Sequence, residues 1–138
     1  CLHMPQGRLS PPGLAQMIAP GAAELGPDYA ASVVTEYQKR RDLLYRGLGE
    51  IPGVFLRKPE GAFYAYPDVS AYYGRRAGSG QVEDSVGLCA YLLEEGKVAC
   101  VPGAGFGTRP HIRLSYATSM AKIEEAMDRV RAALARLH

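Results

Sequence analysis

The stretch His111-Ile112-Arg113-Leu114-Ser115-Tyr116-Ala117 carries the side chain best placed for chemistry. Its residues alternate, with Ile112 and Leu114 on one side of an extended chain and His111, Arg113 and Ser115 on the other. With the apolar pair turned to a core, Arg113 rides on a rigid strand and points away from that core. A guanidinium is a planar fork of donors that matches a carboxylate bidentately. Taken alone, the stretch favours the plainer role of a surface arginine paired with a neighbouring acid.

Other reactive side chains lack companions. No nucleophile stands beside a base and an orienting group. Ser115 and His111 share a predicted strand face but are four residues apart, too far to touch along one strand. Cys89 and Cys100 read as packing thiols, one on a helix and one on a strand. Asp68, Glu83 and Asp84 are the nearest approach to an acidic cluster. Lys39, Lys58, Lys97 and Lys122 each sit beside polar or turn residues, unlike the desolvated lysine that forms a Schiff base. His3, His111 and His138 have no zinc-ligand spacing. Residues 102–107 are glycine-dense, but a strand follows them and no Walker lysine is present, so they read as a tight substrate-side or structural loop. Tyr72, Tyr73, Arg75 and Arg76 resemble a base-stacking surface. A loop that packs its rings on the domain and leaves its arginines in water is the simpler reading.

The elements that must position Arg113 follow from periodicity. Ser119 and Thr118 are capping residues, and Ile123, Met127, Val130, Leu134 and Leu137 form the stripe of a terminal helix. Val33, Tyr37, Leu44 and Leu48 mark a long helix from Asp28 to about Gly49. Residues 54–57 and 62–66, joined through Pro59-Glu60-Gly61, read as an antiparallel hairpin. Val82, Val86, Cys89 and Leu93 mark another helix, closed by Gly96 as a left-handed cap, before a strand at 98–101. Residues 1–27 are interrupted by Pro5, Pro11, Pro12, Pro20 and Pro27 and read as irregular, with helical turns possible at 14–18 and 22–25. The pattern predicts an α+β fold, a small mixed or antiparallel sheet with helices on one face, divided into an N-terminal segment 1–27 and a domain 28–138.

The 138 residues carry 47% hydrophobic and 22% charged side chains and a net charge of +2, a globular composition that argues against nucleic acid. No apolar run approaches the roughly 18 residues of a membrane span. Three cysteines without a C-x-x-C spacing fit reduced thiols and a cytoplasmic setting. The absence of an initial methionine suggests a fragment, a processed product or residues left by cloning.

Three stretches together carry a family resemblance. The first is Tyr37-Gln38-Lys39-Arg40-Arg41-Asp42-Leu43-Leu44 with Ile51-Pro52-Gly53-Val54, and the second is Pro59-Glu60-Gly61-Ala62-Phe63-Tyr64-Ala65-Tyr66-Pro67-Asp68. The third runs from Tyr91-Leu92-Leu93-Glu94-Glu95 through Val101-Pro102-Gly103 and Phe106-Gly107 to the Arg113 strand. In this order and spacing, over residues 22–134, they resemble the C-terminal part of class I/II aminotransferases. Those are fold-type I pyridoxal-phosphate enzymes of the aspartate aminotransferase group.

The resemblance implies a small domain that moves over a cofactor-bearing large domain. It implies that Arg113 grips the substrate α-carboxylate and that Phe63 is an aromatic on the active-site side of the hairpin. The family's Ser-x-x-Lys loop, its pyridine-pairing aspartate and its phosphate-binding groups lie upstream of the matching residues. Residues 1–21 do not resemble what should precede them, and the loop 107–111 is shorter than usual. The expectation is therefore a small domain that binds an amino-acid or 2-oxo-acid carboxylate. Pyridoxal phosphate is expected in the full-length parent, and none on this chain, which is expected to be inactive alone. A stand-alone amino-acid-binding or protein-interaction module is the alternative, and a domain from a transcription regulator a third reading. Exposed apolar surface further predicts self-association.

Overall fold

The computed structural model describes residues 13–24, 26–77 and 80–138. The chain divides into two compact units, residues 1–35 and 36–138. In the first, α1 (Gly13–Ala23) is helical through Pro20, and the Glu24 amide donates to the Pro20 carbonyl. The sequence reading of 13–23 as irregular chain is therefore corrected. A proline lacks only its own N–H, so a helix can continue past it when the donors beyond it find carbonyls. Residues 1–12 and 25, where that reading also falls, lie outside the described residues.

Helix α2 (Gly26–Gly49) spans the predicted range, with Asp28 in its first turn, where the helix dipole favours an acid. In the second unit it buries Leu44 and Leu48. The chain then forms β1 (Tyr64–Ala65), a short 3-10 helix (Ser70–Tyr72), β2 (Arg76–Ala77) and β3 (Gly80–Gln81). Helix α3 (Ser85–Glu94) leads to β4 (Val101–Pro102), a second 3-10 helix (Gly103–Phe106), β5 (Ile112–Ser115) and α4 (Met120–Ala135).

The main sheet is antiparallel in the order β1-β5-β4, so the Arg113 strand is central. Tyr64 pairs with Ser115 and Ala65 with Leu114 on one side, Val101 with Arg113 and Pro102 with Ile112 on the other. Alternation along β5 buries Ile112 and Leu114 and leaves Arg113 and Ser115 less covered, as period-2 geometry requires. Ile112 and Leu114 share one core with Leu44 and Leu48 of α2, Leu88 and Leu92 of α3, and Ile123, Met127, Val130 and Leu134 of α4. The fold is thus α+β, a small open antiparallel sheet with helices against its buried face.

The expected hairpin is absent. Residues 54–57 form no strand with 62–66; Phe55 makes a single antiparallel bridge to Asp68, exchanging N–H···O bonds of 3.0 and 2.8 Å. The loop turns through Ala62 at φ 59°, and β1 pairs with β5 instead. Pro59 and Gly61 end the first segment, and local turn residues do not fix which strand becomes the partner. The left-handed residue after α3 is Lys97 at φ 54°, not Gly96. Gly96 is nevertheless constrained, because a Cβ there would stand 2.8 Å from the Leu92 carbonyl oxygen. Asp84 lies just before α3 and caps it, its carboxylate accepting from the Val86 and Gly87 amides at 2.9 Å each. Ser119 caps α4 by accepting from the Lys122 amide, as its sequence position predicts. The loop after residue 68 buries Tyr72 and half-buries Tyr73 while Arg75 and Arg76 stay exposed.

Candidate functional site

Arg113 is half-buried on the less covered face of β5. Its Cζ lies 4.6 Å from the centre of the Tyr64 ring and 4.5 Å from that of Phe106. The two rings arrive by different routes. Tyr64 comes from the neighbouring strand through the β1–β5 register, and Phe106 from the 3-10 helix after β4. A cation over each ring gains about 0.5–1 kcal/mol at a partly exposed site, and two such contacts narrow the rotamers of a long side chain. Among the described residues, no carboxylate lies within ion-pair distance of the guanidinium. Arg113 is therefore oriented by carbon surfaces, and its polar fork is not committed to an internal acid.

The aromatic wall continues on both sides. Tyr66 stacks on His111 at 4.9 Å with rings 1° from parallel, meets Phe106 edge-on at 6.4 Å, and shares a hydrogen bond with the Thr108 hydroxyl. On the other side Phe63 lies 4.4 Å from Tyr64 and 6.2 Å from Tyr37, which in turn is 6.3 Å from Tyr116. Tyr116 is buried and ties down the approach to β1: its hydroxyl donates to the Ala62 carbonyl at 3.0 Å and its amide to the Phe63 carbonyl at 2.9 Å. Burial raises the Tyr116 phenol above its ordinary pKa, so it remains a donor. Phe63 thus stands next to Tyr64, the ring that carries the guanidinium contact.

The loop that supplies Phe106 closes on itself through backbone bonds. The Gly103 amide donates to the His111 carbonyl at 2.8 Å, and the Thr108 amide donates to the Gly103 carbonyl at 3.1 Å. Gly107 turns the chain at φ 78°. The glycine-dense stretch is therefore a closed turn that sets Phe106 beside Arg113. Asp68 bridges Phe55 and His111 through its backbone, while its carboxylate accepts from the Ser70 hydroxyl at 2.6 Å and the Ser70 amide at 2.9 Å. Those bonds hold its pKa below the usual carboxylate value, and Asp68 is committed to its own turn.

All four lysines are exposed. Lys39 pairs with Glu36 at 2.8 Å and Lys58 with Asp42 at 3.0 Å. No described group of three or more His, Cys, Asp or Glu side chains is arranged to hold a metal. The sequence reading singled out Arg113 and Phe63; it did not find Tyr64, Tyr66 or Phe106. Tyr64 and Tyr66 alternate about Ala65 as strand residues do, which was the available signal. Phe106 meets Arg113 only through the loop closure, which no local pattern encodes.

The chain matches the family described as aminotransferase class I and II over residues 9–130. That match begins upstream of residue 22, so the expectation that residues 1–21 stand apart from the family is corrected for 9–21. It is 41% identical over 121 residues to the bifunctional aspartate aminotransferase and glutamate/aspartate-prephenate aminotransferase of Petunia hybrida, covering 87% of this chain and 25% of that protein. It is 39% identical over 133 residues to an aspartate aminotransferase of Rhizobium meliloti, covering 96% of this chain and 32% of that protein. Among solved structures, aspartate aminotransferase from Rhizobium meliloti superposes with a TM-score of 0.78 at 43% identity, over 82% of this chain and 29% of that one. Aromatic aminotransferase from Pyrococcus horikoshii gives 0.69 at 34% identity, over 78% and 27%. The chain therefore spans between a quarter and a third of the length of these proteins. By sequence and by fold, it belongs to the class I and II aminotransferases.

Proposed function

We propose that residues 28–138 serve as the small domain of a pyridoxal-phosphate-dependent aminotransferase, in which Arg113 receives the α-carboxylate of an amino acid or its 2-oxo acid. Phe63, whose ring centre lies 4.4 Å from that of Tyr64, is assigned to the same substrate-binding region. The observation that carries this reading is the guanidinium over Tyr64 and Phe106, with no carboxylate partner among the described residues. A fork held on a central strand by two rings meets an incoming carboxylate with little further loss of side-chain freedom. The names of the relatives support an amino-acid substrate.

The family implies pyridoxal phosphate in the full-length protein, where it stabilises negative charge developing on the substrate carbon. The described residues of this chain do not fit as its anchor. A lysine that forms a Schiff base must be uncharged and sheltered, and every lysine here is exposed. Covalent attachment is assigned to residues outside this chain, and carboxylate binding to residues within it. The free thiols of Cys89 and Cys100 support a reducing, cytoplasmic setting.

The test is calorimetric binding of a 2-oxo acid to the chain and to Arg113→Lys. Charge-assisted bidentate bonds contribute about 1.5–3 kcal/mol, so the lysine variant should bind about 10- to 100-fold more weakly. Equal affinity in the two proteins refutes the assignment.

A further inference from the structure

Cys89 and Cys100 come from different elements, the middle of α3 and the residue just before β4, eleven positions apart. Their sulfurs lie 3.3 Å apart, with the Cys100 thiol donating to the Cys89 sulfur. Cys89 is 7% exposed and Cys100 is half-buried, so the pair sits just beneath the surface. Cys100 directly precedes Val101, the residue opposite Arg113 in the sheet. Two packing thiols need only van der Waals contact with carbon. This pair instead aims one S–H at the other sulfur, the arrangement of an attacking and a resolving thiol.

We propose that Cys89 and Cys100 are an oxidant-responsive dithiol, which a small hydroperoxide converts to an intrachain disulfide joining α3 to the β4 edge of the sheet. A disulfide requires S–S of about 2.05 Å, so the sulfurs must close by roughly 1.2 Å. The Cys89 thiolate attacks the peroxide O–O bond, forming a sulfenic acid and releasing an alkoxide or hydroxide. The Cys100 thiol then attacks the sulfenic sulfur, forming the S–S bond and releasing water. The two sulfurs lose two electrons together, and the peroxide is reduced by two. Cys89 is the sulfur that accepts the S–H of Cys100, so the hydrogen bond favours the thiolate there and assigns the attack to Cys89, in line with its lowered pKa. This proposal is independent of the Arg113 assignment.

The experiment is peroxide treatment of the full native chain, alkylation of the remaining thiols, and mass-spectrometric mapping. Trypsin cleaves after Lys97, so an oxidised chain yields the Cys89 and Cys100 peptides linked together and lighter by two hydrogen atoms. Both thiols lose alkylation, and a reductant restores it. In Cys100→Ser, a sulfenic acid accumulates at Cys89 and is trapped by a dimedone reagent, which labels the unmodified chain far less. The proposal is overturned if both thiols remain alkylatable after peroxide, or if they overoxidise without becoming linked. Equal dimedone labelling of Cys89 with and without Cys100 also overturns it.

Discussion

Replacing Gly103 by alanine offers a sharp test of how the Arg113 site is built. A Cβ at Gly103 would stand 2.3 Å from the His111 carbonyl oxygen, 2.6 Å from that of Thr108 and 2.8 Å from the Thr108 hydroxyl. Carbon–oxygen contacts settle near 3.3 Å or beyond, so the first overlap is about 1 Å. Both carbonyls are backbone, so neither can rotate aside. The chain must open the Gly103–His111 hydrogen bond, a loss of about 1 kcal/mol, and absorb overpacking of about 1–3 kcal/mol. Gly103→Ala should therefore cost about 2–4 kcal/mol in urea unfolding, with the m value unchanged. Two neighbours supply the scale. Gly107→Ala places a side chain at φ 78° and should cost about 1–2 kcal/mol. Gly105 has nothing within 4 Å of its missing Cβ, and its alanine variant should stay within about 0.5 kcal/mol. If Gly103→Ala is no more destabilising than Gly105→Ala, the closed turn that positions Phe106 is wrong.

The core and caps yield further expectations. Leu48 is 1% exposed in the shared core, so Leu48→Ala should lose about 2–5 kcal/mol by chemical unfolding. Asp84→Ala removes the acceptor of two amides at the start of α3 and should lose about 0.5–2 kcal/mol by the same measurement. The folded Asp68 carboxyl has a depressed pKa, so its contribution is present above the unfolded value near 3.9 and is lost as pH falls through the folded value. Unfolding measured from pH 5 downward should then show a shallower acid loss in Asp68→Asn than in the unmodified chain, and superimposable profiles would refute this. Pyridoxal phosphate followed by borohydride should leave every lysine of this chain without stoichiometric label; one lysine labelled at a single site would overturn the division of roles.

Much of the architecture was legible because it rests on local rules. The α4 stripe from Ile123 to Leu134, its Ser119 cap and the alternation around Arg113 depend only on helical or strand period, and the structure places each as expected, with Leu137 buried just past the helix end. The failures occur where partners are chosen at long range. Residues 54–57 carry strand-like composition, yet β1 finds β5 because the core fixes the register of Ala65 against Leu114. The left-handed residue is Lys97, while Gly96 is held by its close approach to the Leu92 carbonyl, a constraint invisible in a glycine-lysine pair. The aromatic neighbours of Arg113 were hidden for the same reason: Tyr64 and Phe106 are 49 and 7 positions away and meet it only once the strands pair and the loop closes. Two thiols that each read as packing groups likewise become a pair only in the folded chain.

Exposed Phe55 and Phe106, at 78% and 52%, lie on a chain that spans a third or less of its relatives, and sedimentation at rising concentration should reveal self-association. The most direct measurement of the central claim is a titration with a 2-oxo acid observed at the Arg113 side-chain Nε–H by nitrogen-15 NMR. The account predicts a saturable shift of that resonance, with the exposed Arg57 and Arg75 signals unmoved. A titration that leaves Arg113 unchanged, or that shifts all arginines alike, contradicts the assignment of Arg113 as the carboxylate fork.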